Sequence, residues 1–231
     1  NGGDVRVRST GLGSPISVGS VSTSSVTSGS GSGGDITLNG ATVLNTNATF
    51  LATGSANNGG DVTVNGTLNS KDTAKTLAVN TNGITVFEDV VGGNLALASL
   101  TTDAPGTTQV NGGSVTTTGV QTYNDNVVLG DDTTFKTTNA AVTFTTASSA
   151  VNAAGHEVTF ETGTGAVSAQ NVNNDFNQVN VTSAGAVTVI DKNAMTVGFA
   201  TVTSILARTL SGDLSLGGNV SASGTGNAIT L

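Results

Sequence analysis

Pairs of apolar residues separated by one polar residue recur along the whole chain. At Val62-Thr63-Val64 the alternation places the two valines on one face of a short strand and Thr63 on the other. No window has apolar residues at the three-and-four spacing of an amphipathic helix. The chain is therefore expected to be almost entirely β-structure.

A Gly-Gly-Asp or Gly-Gly-Asn triplet precedes the clearest pairs and marks an internal repeat. Two glycines permit a corner with positive φ, Asp or Asn tolerates the bend by bonding to nearby backbone, and a strand with two inward apolar residues follows. Full copies begin at Gly2, Gly33, Gly59 and Gly92, and a shortened copy covers residues 212–216. Weaker pairs between them bring the typical spacing to roughly twenty residues, as in β-helix coils. These pairs are Ile16/Val18, Ile84/Val86, Val142/Phe144, Val158/Phe160, Val179/Val181, Val187/Val189, Val197/Phe199 and Ile229/Leu231.

The repeats favour a parallel β-solenoid. An Asn-Gly follows two of the full copies, at Asn39-Gly40 and Asn65-Gly66, and such a dipeptide also suits a hairpin, so an antiparallel sandwich is the alternative architecture. The solenoid is preferred because the motif restarts in the same order and because the apolar pairs are too short for long antiparallel arms. Trp, Tyr and Pro, at 0, 1 and 2 residues, are also scarce for a sandwich.

Residues 1–231 are expected to form a single solenoid segment of roughly ten coils. Both ends of the chain fall in mid-motif, which suggests a window of a longer repeat protein. The Ser- and Gly-rich segment 19–32 is expected to be a loop or a weakly packed coil, since Val21 and Val26 still interrupt it.

Charge and cysteine content exclude several classes of function. The formal net charge is −8, with 15 acids and 7 scattered bases, so the chain lacks the electrostatic footprint that binds nucleic acid or anionic membranes. No apolar run is long enough to insert in a membrane, and no signal region is visible. The absence of cysteine excludes disulfides and thiolate metal sites, and it is compatible with secreted bacterial repeat proteins.

The central part of the chain resembles a known family. Residues 95–103, 110–119, 121–125 and 128–134 contain the phrases Gln-Thr-Tyr-Asn and Val-x-Leu-Gly-x-Asp-Thr-Thr, which resemble the degenerate repeats of filamentous-haemagglutinin-like surface adhesins, and the Gly-Gly-Asp copies extend the resemblance over most of the chain. The resemblance implies a right-handed parallel β-helix shaft, export by a two-partner or similar route, and a role in adhesion, aggregation or biofilm structure. The family's secretion domain and receptor-binding tip have no counterpart here.

Four aspartates recur at one position of the repeat: Asp4, Asp35, Asp61 and Asp213. Stacked carboxylates could form a calcium ladder, but calcium takes six or more oxygens and the closely spaced calcium-binding nonapeptide is absent. Capping of the corner by the side chain is the preferred interpretation.

Acidic pairs are the candidates for catalysis. A polysaccharide-cleaving β-helix needs carboxylates that converge with a basic group in one groove, and no such cluster is visible, so the chain is expected not to be an enzyme. The acids are Glu88-Asp89, Asp131-Asp132, Glu157 and Glu161, and the bases are Lys71, Lys75, Lys136, Lys192 and Arg208. His156, the single histidine, is expected on a surface turn. No catalytic, metal or cofactor-binding residue is assigned.

Threonine and aromatic residues raise two further possibilities. The Thr-rich stretches 116–118, 133–134 and 143–146 suggest an ice-binding face, but their irregular spacing gives no continuous Thr-x-Thr column. Sugar-stacking aromatics are also disfavoured, because the phenylalanines alternate with polar neighbours and are expected in the core, with Tyr123 alone outside. The phenylalanines are Phe50, Phe87, Phe135, Phe144, Phe160, Phe176 and Phe199.

The leading hypothesis is a structural shaft or fibre-forming segment of a secreted adhesin, located outside the cell or on the bacterial surface. Its expected partners are further repeats of the same polypeptide or neighbouring copies in a fibre, together with cell-surface glycans or matrix. The alternatives are a carbohydrate-binding or carbohydrate-cleaving β-helix and a self-associating extracellular filament subunit.

Overall fold

A computed structural model describes residues 2–9, 14–24, 31–55, 58–145, 149–225 and 229–231, without the side chain of Phe199. In these ranges the chain forms 25 strands and no α-helix. Every strand pairing is parallel, which excludes the antiparallel sandwich. The strands stack as a parallel β-helix of about nine turns, close to the ten expected.

Three faces run along the helix, and each takes one short strand from most turns. Face A contains β1 (Val5–Arg8), β4 (Ile36–Asn39), β7 (Val62–Asn65), β10 (Ile84–Phe87), β12 (Thr107–Val110), β15 (Asn126–Leu129) and β18 (Val151–Asn152). Face B contains β2 (Ile16–Val18), β5 (Thr42–Leu44), β8 (Leu68–Ser70), β13 (Ser114–Thr116), β16 (Thr133–Lys136), β19 (Glu157–Glu161) and β23 (Leu214–Leu216). Face C contains β3 (Val21–Ser22), β6 (Ala48–Ala52), β9 (Thr76–Thr81), β11 (Ser99–Thr102), β14 (Gln121–Tyr123), β17 (Val142–Phe144), β20 (Val167–Ala169) and β25 (Ile229–Thr230).

Two long strands replace this pattern near the end of the chain. β21 (Gln178–Asp191) and β22 (Met195–Thr209) each pass from face B to face C without interruption, and β24 (Val220–Ala222) pairs with the middle of β22. The register between the long strands shifts between Val179 and Val181 and again between Val181 and Ala184. An extra residue at such a bulge bends a strand, so the bulges take the place of a corner.

Inward side chains of successive turns stack into apolar columns. On face A one column contains Val7, Leu38, Val64, Phe87, Val110 and Leu129. The six phenylalanines with described side chains are fully buried, as predicted, whereas Phe199 lies outside the described side chains. Burial of this apolar surface is the main term that stabilises the turns.

Tyr123 is buried, and the expectation that it lies outside is wrong. Its ring stacks on Phe144 with a centroid distance of 5.1 Å and meets Phe135 edge-on at 5.5 Å. The phenol donates to Gln121 Oε1 at 3.1 Å, and the Gln121 amide donates to the Val115 and Lys136 carbonyls. A buried tyrosine needs such a partner for its hydroxyl, and here it is supplied from within the same strand.

Two other repeat assignments also change. The pair Ile84/Val86 points outward, because Thr85 and Phe87 are the buried residues of β10. The fourth triplet copy lies at the corner between faces B and C, where Leu95 is exposed and only Val91 and Leu97 form bridges. The shortened copy forms β23 on face B. Of the five copies, therefore, the three that begin at Gly2, Gly33 and Gly59 occupy the corner before face A.

The last turn is open. Leu216, Ile229 and Leu231 are exposed by 53, 43 and 53%. Ile229 nevertheless pairs with the buried Ile205 and continues its inward column. In the low-complexity segment, residues 21–22 form β3, whereas residues 25–30, with Val26, lie outside the described ranges.

Candidate functional site

The aspartates of the triplets cap the corner before face A. Asp4 Oδ1 accepts the N–H of Asp35 at 3.1 Å, Asp35 Oδ1 accepts that of Asp61 at 2.9 Å, and Asp61 Oδ1 accepts that of Ile84 at 2.8 Å. Each carboxylate therefore binds the backbone of the following turn. The predicted capping is present, but the donor lies in the next turn and not in the nearby backbone of the same corner. The Asp213 side chain makes no comparable contact with a described residue.

Glycines make this corner compact. A Cβ on Gly60 would lie 2.2 Å from the carbonyl oxygen of Gly34, and one on Gly34 would lie 2.6 Å from the backbone of Gly3. Neither distance leaves room for a side chain, so glycine is required by the stacking of turns and not by a local turn alone.

A buried carboxyl group lies at the corner between faces C and A. Asp125 is 2% exposed, and its two oxygens accept the hydroxyls of Thr102 at 2.6 Å and Thr108 at 2.8 Å. Burial raises the pKa of Asp125 to about 6, against the opposing effect of the two hydroxyl donors. Sequence reasoning missed this group, because nothing in the local pattern distinguishes it from the capping aspartates.

The acidic pairs do not converge. Glu88 accepts from Asn111, Glu157 from Gln178, and Glu161 pairs with Lys136 at 2.8 Å. Lys136 and Lys192, which the sequence left without partners, therefore belong to separate ion pairs. Glu88, Glu157 and Glu161 therefore have separate partners, whereas glycoside cleavage uses two carboxylates that flank one bond.

Asp131, Asp132 and His156 bring three ligand atoms within 4.8 Å of one another. Asp132 Oδ1 also accepts the N–H of Glu157 at 2.8 Å and lies 3.6 Å from His156 Nδ1. His156 is partly exposed, by 34%, as expected of a surface turn. Asp132 thus serves as a corner cap of the same kind as Asp35.

One outward column of hydroxyl residues does form on face C. Its members are Thr101, Thr122, Thr143, Ser168 and Thr188. The residues two positions before Thr122, Thr143 and Ser168 are apolar: Val120, Ala141 and Ala166. The column is therefore single, and it does not form the double Thr-x-Thr array. Thr146 of the predicted stretches lies outside the described ranges.

A groove of about 520 Å³ lies on the outer surface of face A, where that face runs out of strands. β18 is the last strand there, and in the next turn only Asp175 continues it, through a bridge to Asn152 and an N–H donated to Val151 at 2.8 Å. Faces B and C carry further strands beyond this point. The groove therefore occupies a step, and its volume is within the range of roughly 300–1,000 Å³ typical of ligand pockets.

Asparagine amides dominate the polar lining of the groove. The Oδ1 atoms of Asn126, Asn152 and Asn171 accept the N–H groups of Ala150, Ala154 and Asn173 at 3.0, 3.0 and 2.9 Å. Each carbonyl oxygen is thus tied to backbone, which fixes the side chain and leaves its NH₂ group without a partner among the described residues.

An ion pair between Lys192 and Asp175 also lines the groove. Lys192 Nζ lies 2.8 Å from Asp175 Oδ2, and Asn193 Nδ2 donates to Asp175 Oδ1 at 3.0 Å. These two hydrogen bonds, from Lys192 first, lower the pKa of Asp175. The only sequence signal for the groove is the Asn-rich run 171–175, which had suggested no site.

None of the described residues forms a helix that is both long enough and apolar enough to cross a membrane. Comparison with protein-family models, with curated proteins and with solved structures finds no match to this chain. Function is therefore argued from the geometry of the fold and of the groove.

Proposed function

We propose that the chain is a structural shaft segment of a secreted bacterial surface adhesin, which spaces an adhesive region from the cell. The single observation that supports this proposal is the unbroken axial stacking: each turn pairs in parallel with the next, from β1 to β25. Backbone hydrogen bonds then run along the rod, and each turn contacts only its neighbours. About nine turns at the strand spacing of about 4.8 Å make a rod on the order of 45 Å long.

The contents of the rod also support a mechanical role. The interior is filled by apolar columns and by an aromatic cluster of Tyr123, Phe135, Phe144 and Phe160, with ring centroids 5.1–6.3 Å apart. A close-packed interior resists compression. The corners are capped by aspartates that join adjacent turns. Hydrogen bonds of side chains and of backbone therefore both oppose separation of the turns along the axis of the rod.

Two alternatives have less support. A self-associating filament differs from the shaft in that separate chains join end to end, and electron microscopy distinguishes the two. Carbohydrate cleavage would need two carboxylates, and the groove lining contains one, Asp175.

The test is cryo-electron microscopy of the native full-length material, combined with antibody labelling of unpermeabilised cells. Thin rods with a layer spacing near 4.8 Å, labelled at the cell surface, are the expected result. Compact globules, or label that requires permeabilised cells, would contradict the shaft proposal, and rods growing by end-to-end addition of separate chains would favour the filament.

A further inference from the structure

The groove on face A has the features of a binding site that the shaft proposal does not use. It crosses successive turns of the solenoid, through Thr107, Asn126, Asn152, Asp175 and Lys192. Thr107 pairs with Asn126 in one column and Asn152 with Asp175 in a neighbouring column, so polar groups recur in successive turns at the layer spacing of about 4.8 Å. That spacing is close to the length of one pyranose unit in an extended glycan, so consecutive sugar units can meet polar groups of consecutive turns.

The hydrogen-bonding groups are fixed donors. Because backbone N–H groups hold the carbonyl oxygens of Asn126, Asn152 and Asn171, these side chains present NH₂ groups without the entropic cost of ordering a free amide. Asn173 adds an exposed amide, and Thr107 adds a hydroxyl. Such a set of donors, with a few acceptors, matches the hydroxyl and ring oxygens of a sugar.

The apolar part of the lining is small. Val128 and Ala150 are the outward aliphatic residues of face A in the groove, and Ala150 stacks on Asn126 in the next layer through the register Val127 to Val151. The alanine methyl leaves the space that a larger side chain would fill. Short aliphatic contacts suit the C–H faces of a sugar, and no aromatic residue lines the groove, so affinity depends on the amide ladder.

Electrostatics select the ligand class. Lys192, the only basic residue of the lining, is neutralised by Asp175 at 2.8 Å, and the chain carries a net charge of −8. A sulfated, sialylated or uronic glycan would meet no free cation and would be repelled by the long-range field.

From these observations we infer that the groove binds a neutral, linear oligosaccharide along the solenoid axis, without cleaving it. The inference goes beyond the shaft proposal and does not depend on it, since a globular protein with the same groove would bind equally.

The experiment is titration of the whole ¹⁵N-labelled chain with cellotetraose, maltotetraose, mannotetraose and chitotetraose, followed by the side-chain NH₂ signals in NMR spectra. At least one neutral probe should shift the signals of Asn126, Asn152 and Asn173. Polysialic acid and heparin serve as charged comparators and should leave these signals unmoved.

Two variants and one control locate the binding. Asn173→Ala removes an exposed amide that makes no structural hydrogen bond among the described residues, and it should weaken binding about 3- to 10-fold, the loss of one hydrogen bond. Ala150→Leu fills the groove and should abolish binding. Gln109→Ala removes an outward amide of the same face that does not line the groove, and it should bind as the unmodified chain does.

Circular dichroism of each variant shows whether the fold is retained. The inference is overturned if no neutral probe shifts the groove amides, if Ala150→Leu binds normally, or if only the polyanions bind. Any of these results leaves the rod shape seen by microscopy untouched, so the two proposals fail separately.

Discussion

The turns before and after residue 175 use the same parallel pairing but close in different ways. Between Ile36 and Ala169 a turn takes 19 to 26 residues and places a strand on face A. From Gln178 onward, paired residues are 18 to 24 apart, and the long strands β21 and β22 bend across faces B and C. The turn from Thr107 to Asn126 is also 19 residues long and keeps its face A strand, so length alone does not remove the face. The face is lost where the long strands β21 and β22 replace the short ones.

The step that this difference leaves is also where the groove forms. In the three-faced region the outer surface of face A is an even sheet, and in the two-faced region it is missing. At the junction, segment 171–175 and Lys192 stand beside the last face A strand. The replacement of short strands by long ones thus converts a uniform rod into one with a local concave surface.

The largest expected contrast between the two regions is in core packing. Phe135→Ala should destabilise the chain by about 3–5 kcal/mol, because the phenylalanine is fully buried among three other rings. Leu216→Ala, in the open last turn, should cost no more than about 0.5 kcal/mol. Urea unfolding followed by circular dichroism measures both, and equal losses would show that the last turn is as well packed as the centre.

The stability of the three-faced region should depend on pH through Asp125. The pKa of Asp125 is raised in the folded state to about 6 from an ordinary value of 3.8. Between these values the folded state holds a proton that the unfolded state releases, so the free energy of unfolding should rise as the pH falls from about 6 to about 4, by up to roughly 3 kcal/mol. Above pH 6 this contribution is lost.

Variants of the same corner test the assignment. Asp125→Asn should flatten the pH dependence of urea unfolding between pH 4 and 6. Thr108→Val removes a hydroxyl that stabilises the ionised carboxylate, so it should move the transition to higher pH. An unchanged pH profile in Asp125→Asn would assign the effect to other carboxyl groups, such as Asp103, whose pKa is also raised by burial.

Alanine substitution at the second glycine of the triplet should be costly where the glycine packs against a neighbouring turn and tolerated where nothing lies close to it. Gly60→Ala brings a methyl group against the Gly34 backbone at 2.2 Å, and displacement of the turn should cost about 1–3 kcal/mol. Gly3→Ala changes the same triplet position in the first turn, where nothing lies within 4 Å, and should cost no more than about 0.5 kcal/mol. Thermal unfolding of the two variants distinguishes steric crowding from a general intolerance of alanine at this corner.

The smallest contrast is between two aspartates of the repeat. Asp35→Ala removes the acceptor for the Asp61 N–H and should cost about 1 kcal/mol, whereas Asp213→Ala removes no such bond in the described structure and should be close to neutral. If Asp213→Ala destabilises as much as Asp35→Ala in urea, the capping explanation does not account for the repeat.

Part of this fold could be predicted because its causes are local. Alternation predicts short strands from residues within one turn, and Val62/Val64 behave as the sequence indicates. The triplet predicts a capped corner, although the N–H that Asp35 accepts belongs to Asp61 in the next turn. The pair Ile84/Val86 does not, because which side of a strand is buried depends on the register with β7 and β12, which are about twenty residues away in either direction.

The sequence by itself determined the parallel solenoid, the columns of apolar residues and the capping role of the triplet aspartates, because each recurs with the repeat. Only the tertiary structure decided that Tyr123 and Asp125 lie inside, that the fourth triplet copy leaves face A, and that the face ends in a groove. These features depend on how many residues each turn contains and on which residues are stacked above and below, and contacts between turns of unequal length are not encoded in any local pattern.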